Sequence, residues 1–234
     1  MSKIKRRYDI LGTTLTTSSM AKGPNEDLLD IASADIEQQA NSCLSCPPLL
    51  LQVIRDVSRS SRAPNPAALP VKENGRLLSI VDAFNPYAWS SSLQNVSSSF
   101  DLEKRAHIAC AYKAAVKIYI LRATVLTNSV SIIPDPLEDL VSETVLHLMH
   151  IPPDDPFFKA TCWPSFIAGA ETNDPDQRAW VSSRFETALT TLPWGYLSTA
   201  VDLLHRVWAH KSQEEAGTDW LVNLKLSEND WLIA

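Results

Sequence analysis

Trp163-Pro164-Ser165-Phe166-Ile167-Ala168-Gly169-Ala170-Glu171-Thr172, carried through Asn173-Asp174-Pro175-Asp176 into Arg178-Ala179-Trp180-Val181, decides how this chain folds. Pro164 opens a short apolar helix, because a proline in the first turn removes an N–H that has no intrahelical partner. The Ala168-Gly169-Ala170 step offers small side chains, so another helix can approach closely. Arg178 is placed to reach Glu171 at the acidic end of that unit, and Trp180 fills space between helices. A polar Asx/Pro loop then caps an amphipathic helix.

The segments around this block carry the same helical period. Residues 176–192 place Trp180, Val181, Phe185, Ala188 and Leu189 on one side, and Pro193 ends them. Residues 196–209 repeat the pattern with Leu197, Ala200, Val201, Leu203, Leu204, Val207 and Trp208. Residues 137–150 place Leu140, Val141, Val145, Leu146, Leu148 and Met149 in the core. The longest helix is predicted over 100–127. Its many Ala and Ile residues leave it apolar on several faces, which marks a central helix packed by several neighbours. Asp101 suits the positive end of its dipole.

Further toward the N-terminus, Pro47-Pro48 starts a helix with Leu50, Leu51, Val53, Ile54 and Val57. An earlier helix carries Leu28, Leu29, Ile31, Ala32 and Ile36. Residues 59–70 read as a loop, and 76–98 as a short helix followed by a Ser-rich loop holding Trp89. The Ser129–Ile133 segment resembles a strand, but Pro134 and Pro136 end it. A Trp220 to Trp231 segment closes the chain. The expected fold is all-α: an array of about eight to ten packed helices forming one domain over 26–234, behind a flexible polar arm over 1–25.

Composition narrows the function classes. With only 6 Gly and no GxxxxGK[ST] or GxGxxG run, a phosphate-cradling loop is not expected. A net charge of −6 gives no overall attraction to nucleic acid. Lys3, Lys5, Arg6 and Arg7 are the one basic cluster, which reads as a nuclear-import element or a solvated tail. No run of 18 apolar residues exists, so no membrane span is expected. The N-terminus lacks a signal-peptide core, and the 4 cysteines read as reduced thiols of an intracellular protein.

Few residues have spacing suited to chemistry. Cys43 and Cys46 form a C-x-x-C at a helix start, but no second pair completes a zinc site and no strand precedes it as in a thioredoxin motif. They read as incidental thiols, with half a metal site or a redox dithiol as the sharper alternatives. His147 and His150 share a helix with Glu143, and His205 and His210 share another. Metal ligation by the first group is weighed against ordinary core or surface histidines, and the latter is favoured. Cys162 beside Trp163 shows no partner base. Asp154, Asp155, Asp174 and Asp176 read as caps of free backbone N–H groups. The 7 Trp residues would suit an aromatic ligand pocket, or simply helix packing. No catalytic, cofactor or metal residue is assigned.

The Trp163–Glu171 residues, Arg178-Ala179-Trp180-Val181 and Arg184-Phe185 resemble the C-terminal part of the fungal-specific transcription factor domain. That domain is the helical regulatory region downstream of a zinc binuclear cluster. Ala200-Val201-Asp202-Leu203-Leu204-His205-Arg206-Val207-Trp208 is similar to the family's apolar helix ending in Trp. Asp219-Trp220 and Asp230-Trp231-Leu232-Ile233 are similar to its tail. The resemblance covers roughly residues 28–234.

It implies a transcription-factor-like regulator in the nucleus, with a specialised-metabolite cluster as the expected setting. Its expected partners are a full-length transcription factor, a second copy of itself or a hydrophobic small molecule. The family's DNA-binding module needs six cysteines, so direct sequence-specific DNA binding is not carried over. A second reading, from a different class, is a helical biosynthetic enzyme (a cyclase or isomerase) that works by holding a reactive substrate pose.

Overall fold

A computed structural model of the chain describes residues 11, 46–60, 71–95, 98–125, 136–191, 195–212 and 219–226. Outside them lie the arm over 1–25 apart from Leu11, which is helical and buried in the core, the helix carrying Leu28 to Ile36, Cys43, most of the 59–70 loop, the Ser129–Ile133 segment, Pro193 and the closing Trp231. The described residues form helices and no strand, as the periodicity requires. In chain order these are α1 (Pro48–Ser60), α2 (Val71–Ala83), α3 (Pro86–Ser91), α4 (Ser99–Val125), α5 (Pro136–Met149), a 3-10 turn (Phe158–Thr161), α6 (Cys162–Glu171), α7 (Pro175–Thr191), α8 (Gly195–Ser212) and α9 (Trp220–Leu226).

At 27 residues, α4 spans about 40 Å. It packs against α1, α2, α3, α5 and α6. Ala106, Ile108, Ala109, Ala111, Ala114, Ala115, Val116, Ile118 and Ile120 are all buried, and His107, Lys113 and Lys117 are the part-exposed residues of its middle. Its two tyrosines keep their hydroxyls bonded inside the core: Tyr112 donates to Ala160 O at 3.0 Å, and Tyr119 Oη lies 3.1 Å from Ser58 Oγ. At its start Ser98 Oγ accepts from Asp101 N at 3.2 Å and donates to the Asp101 carboxylate at 2.7 Å. This reciprocal cap closes the first turn.

The short helix α6 lies against α4, α5, α7 and α8, and all ten of its residues are buried. The Trp163 ring stacks on Tyr112 with centroids 5.6 Å apart and meets Tyr119 edge-on at 6.1 Å. Gly169 faces α7 and α8. A Cβ there would lie 2.8 Å from Val181 Cγ1 and 3.2 Å from Leu204 Cδ2. The small-residue step therefore does what its composition suggests and lets two helices seat on a third.

Two local readings change. Trp89 sits in a helix, α3, rather than in a loop. Asn85 caps that helix by accepting from Tyr87 N and Ala88 N at 3.0 Å each, with Pro86 at its first position. Leu146 and Met149 are exposed rather than in the core. Val141, Val145 and Leu148 follow the i, i+4, i+7 stripe of α5 and are buried, and the other two residues fall off that stripe.

Gly169→Ala is expected to destabilise the protein by about 1–3 kcal/mol, because the branched Val181 side chain cannot swing clear. Gly75→Ala in α2, where an added methyl meets nothing within 4 Å, is expected to stabilise it by about 0.5–1 kcal/mol. Chemical denaturation of the two variants side by side checks the contrast.

Candidate functional site

The most elaborate polar arrangement among the described residues lies where α6 ends. Glu171 is the last residue of α6 and is buried. Arg122 of α4 reaches it with two guanidinium nitrogens, Nε donating to Oε2 at 2.7 Å and Nη2 to Oε1. The same arginine gives Nη1 to Asp219, just before α9, at 3.0 Å. Trp220 Nε1 donates to Glu171 Oε2 at 2.9 Å, and Asp219 accepts from Leu221 N at 2.8 Å. From α8, Lys211 donates to Glu171 O at 2.5 Å and Trp208 Nε1 to Gly169 O at 2.8 Å. Four helices thus meet at one helix terminus, where exposed carbonyls attract cationic donors.

Burial sets the electrostatics here. It works against the Arg122 charge, but Glu171 and Asp219 more than offset it and hold that guanidinium above its usual range. Burial pushes the Asp219 carboxyl upward, and Arg122 opposes this. Burial also brings the Lys211 ammonium down to about 8, against the pull of Glu171. These groups are engaged with one another, and the arrangement is that of a structural tie.

Arg178 does not pair with Glu171. It donates to Thr172 O at 3.2 Å, and its guanidinium sits 5.6 Å over the Trp208 ring. Arg122 takes the carboxylate because α4 runs beside α6, a relation that sequence spacing does not carry. A second arginine, Arg184 of α7, reaches Thr161 Oγ1 at 2.9 Å and Ile151 O at 3.1 Å. It lies over the rings of Phe158 at 4.3 Å and Trp180 at 5.3 Å. Burial lowers its ionisation to about 10.

The candidate chemical residues separate on the fold. Cys46, Cys110 and Cys162 are buried. Burial pushes the Cys162 thiol up to about 12, which makes it a poor nucleophile. His147 and His150 do meet a third group. That group is His107 of α4, and no stretch of neighbouring sequence signals it. Among the described residues no group of three or more His, Cys, Asp or Glu is arranged to hold a metal ion. His205 is exposed beside the Trp208 ring, and His210 is exposed in the last turn of α8. Asp155 accepts from Phe157 N at 2.8 Å and Asp174 from Asp176 N at 2.9 Å, so both serve as backbone caps. Asp155 also pairs with Lys104. Trp163, Trp208 and Trp220 are engaged by protein rings and hydrogen bonds. No helix among the described residues is long and apolar enough to cross a membrane.

Arg122→Met removes the guanidinium that bonds two buried carboxylates and is expected to cost about 3–5 kcal/mol. Adding Glu171→Gln and Asp219→Asn should recover part of that loss, as read by urea unfolding. Thiol labelling of the native protein at neutral pH is expected to leave Cys46, Cys110 and Cys162 unmodified and to modify all three in denaturant. Rapid native labelling of Cys162 contradicts its assigned burial.

Comparison with known proteins agrees with this architecture. The model of the fungal specific transcription factor domain matches residues 8–233, so the match begins well before residue 28. The acriflavine sensitivity control protein acr-2 of Neurospora crassa is 31% identical over 242 residues, covering 97% of this chain. The chain spans 41% of that relative's length. No solved structure matches it. With nearly its whole length matched and an all-helical array built around the Trp163–Glu171 helix, the chain belongs to the fungal specific transcription factor domain family.

Proposed function

We propose that this chain is the regulatory part of a fungal transcription system, acting in the nucleus on a partner regulator rather than reading DNA bases itself. The observation that carries this reading is the family match over residues 8–233, nearly the whole of the sequence. The net charge of −6 fits a role away from the phosphate backbone. Lys3, Lys5, Arg6 and Arg7 supply a short basic run of the kind that directs nuclear import.

The regulatory input is either a hydrophobic effector or a partner protein. Trp163, Trp208 and Trp220 are already occupied by neighbouring protein groups, which favours the partner. The partner is a full-length transcription factor or a second copy of the chain. The target genes are proposed to lie in a specialised-metabolite cluster.

Deletion of the gene with paired transcript and metabolite profiling tests the proposal. The expected outcome is a coordinated fall or rise in a set of transcripts, with no single intermediate accumulating. Normal transcripts together with one accumulated intermediate would show an enzyme of the cyclase or isomerase kind. Because the relative is a control protein for acriflavine sensitivity, growth of the deletion strain on acriflavine is a rapid companion readout.

A further inference from the structure

Three imidazoles meet on the seam between α4 and α5. His107 Nδ1 lies 2.9 Å from His147 Nδ1. The His150 ring stacks on His107 with centroids 3.8 Å apart and planes 11° from parallel. His107 and His147 are half-buried, and His150 is exposed. A contact between two imidazole nitrogens needs one ring to donate and the other to accept, and an imidazolium has no lone pair with which to accept. His107 and His147 therefore keep their bond only while at least one of them is neutral. Face-to-face stacking at 3.8 Å likewise tolerates one cation far better than two.

We propose that His107, His147 and His150 form a proton-operated latch on the α4–α5 seam, closed while the imidazoles carry at most one proton and released when a second enters.

The surroundings support this limit. On α4, Glu103 is an acid whose charge acts on His107. Lys104, on the same helix, is paired with Asp155 of the loop after α5. Glu143 of α5, Lys113 of α4 and Tyr87 of α3 act on Cys110, one turn from His107. From α2, Asp82 pairs with Lys117 farther along α4. From α7, Gln177 reaches Ser142, and Arg184 is committed to Ile151 O and Thr161. Among the described residues Glu103 is the carboxylate whose charge favours a proton on His107, and the two neighbouring imidazoles oppose it.

Burial, followed by the neighbouring imidazoles, holds both His107 and His147 below the ordinary histidine value. Both groups are depressed in the fold, so their contribution to stability is complete above about pH 6.5. It is lost as pH falls through their lower folded values. Release of this turn of α5 would uncover Val145 and Leu148, which are buried against the core, beside the already exposed Leu146 and Met149.

The test is hydrogen exchange of the full chain at about pH 5 and about pH 7.5, either side of the ordinary histidine value of about 6.5, corrected for intrinsic exchange. Histidine ring resonances are followed by NMR over the same range. Amides of the second half of α5 and of the α4 turns around His107 are expected to lose protection in acid, on the order of tenfold more than those of α8. His107→Gln is expected to reduce this difference, because glutamine adds no proton. Should that variant fold poorly, exposed His150→Ala decides, with the same flattening expected.

The proposal is overturned if protection falls equally in α5 and α8, or does not fall. It is also overturned if His150→Ala keeps the full wild-type response, or if the rings titrate independently at the ordinary value.

Discussion

A buried carboxylate at the end of a wholly buried helix is the constraint on which the rest of this structure depends. Glu171 ends α6, and α6 has no face in solvent. A charge in that position is tolerated only with a partner and with its lone pairs satisfied. Arg122 and Trp220 supply both, so α4 and α9, distant in the chain, become tied to the same point. Lys211 and Trp208 then bind the carbonyls that the end of α6 leaves open.

The tie and the packing reinforce each other. Gly169 lets α7 and α8 close on α6, and that closeness brings Trp208 Nε1 to the Gly169 carbonyl. Apolar contacts alone would hold three helices together without fixing their register. Directional bonds at one terminus fix it, because a slip of one residue would strand a buried charge. The block therefore reads as the keystone of a scaffold, and its residues need not touch a ligand to matter.

That distinction bears on function. The residues by which the sequence resembles its family are scaffold residues that fix how helices lie against one another. Here they are a proline in a first turn, a glycine at a helix crossing, a terminal glutamate and tryptophans that bond to backbone or carboxylate. The α4–α5 seam has a different character. It is held by imidazoles, whose ordinary ionisation lies near neutral pH, while the α6 terminus is held by the Arg122 guanidinium, which Glu171 and Asp219 keep above its usual range.

The sequence by itself determined the fold class, the limits of α1 and of α4 to α8 to within a few residues, and the family. Each of these rests on local rules: apolar period, proline and glycine placement, and caps such as Asp155 and Asp174. It misplaced Trp89, because Asn85-Pro86 is a helix start that a Ser-rich context obscured. It put Leu146 and Met149 in the core, because hydrophobic identity alone does not tell which stripe of a helix is covered. Only the tertiary structure decided that Arg122 rather than Arg178 answers Glu171, and that His107 joins His147 and His150. Those pairs lie 49 and 40 positions apart in the chain. Their meeting depends on how α4 lies against α5 and α6, which no local pattern encodes.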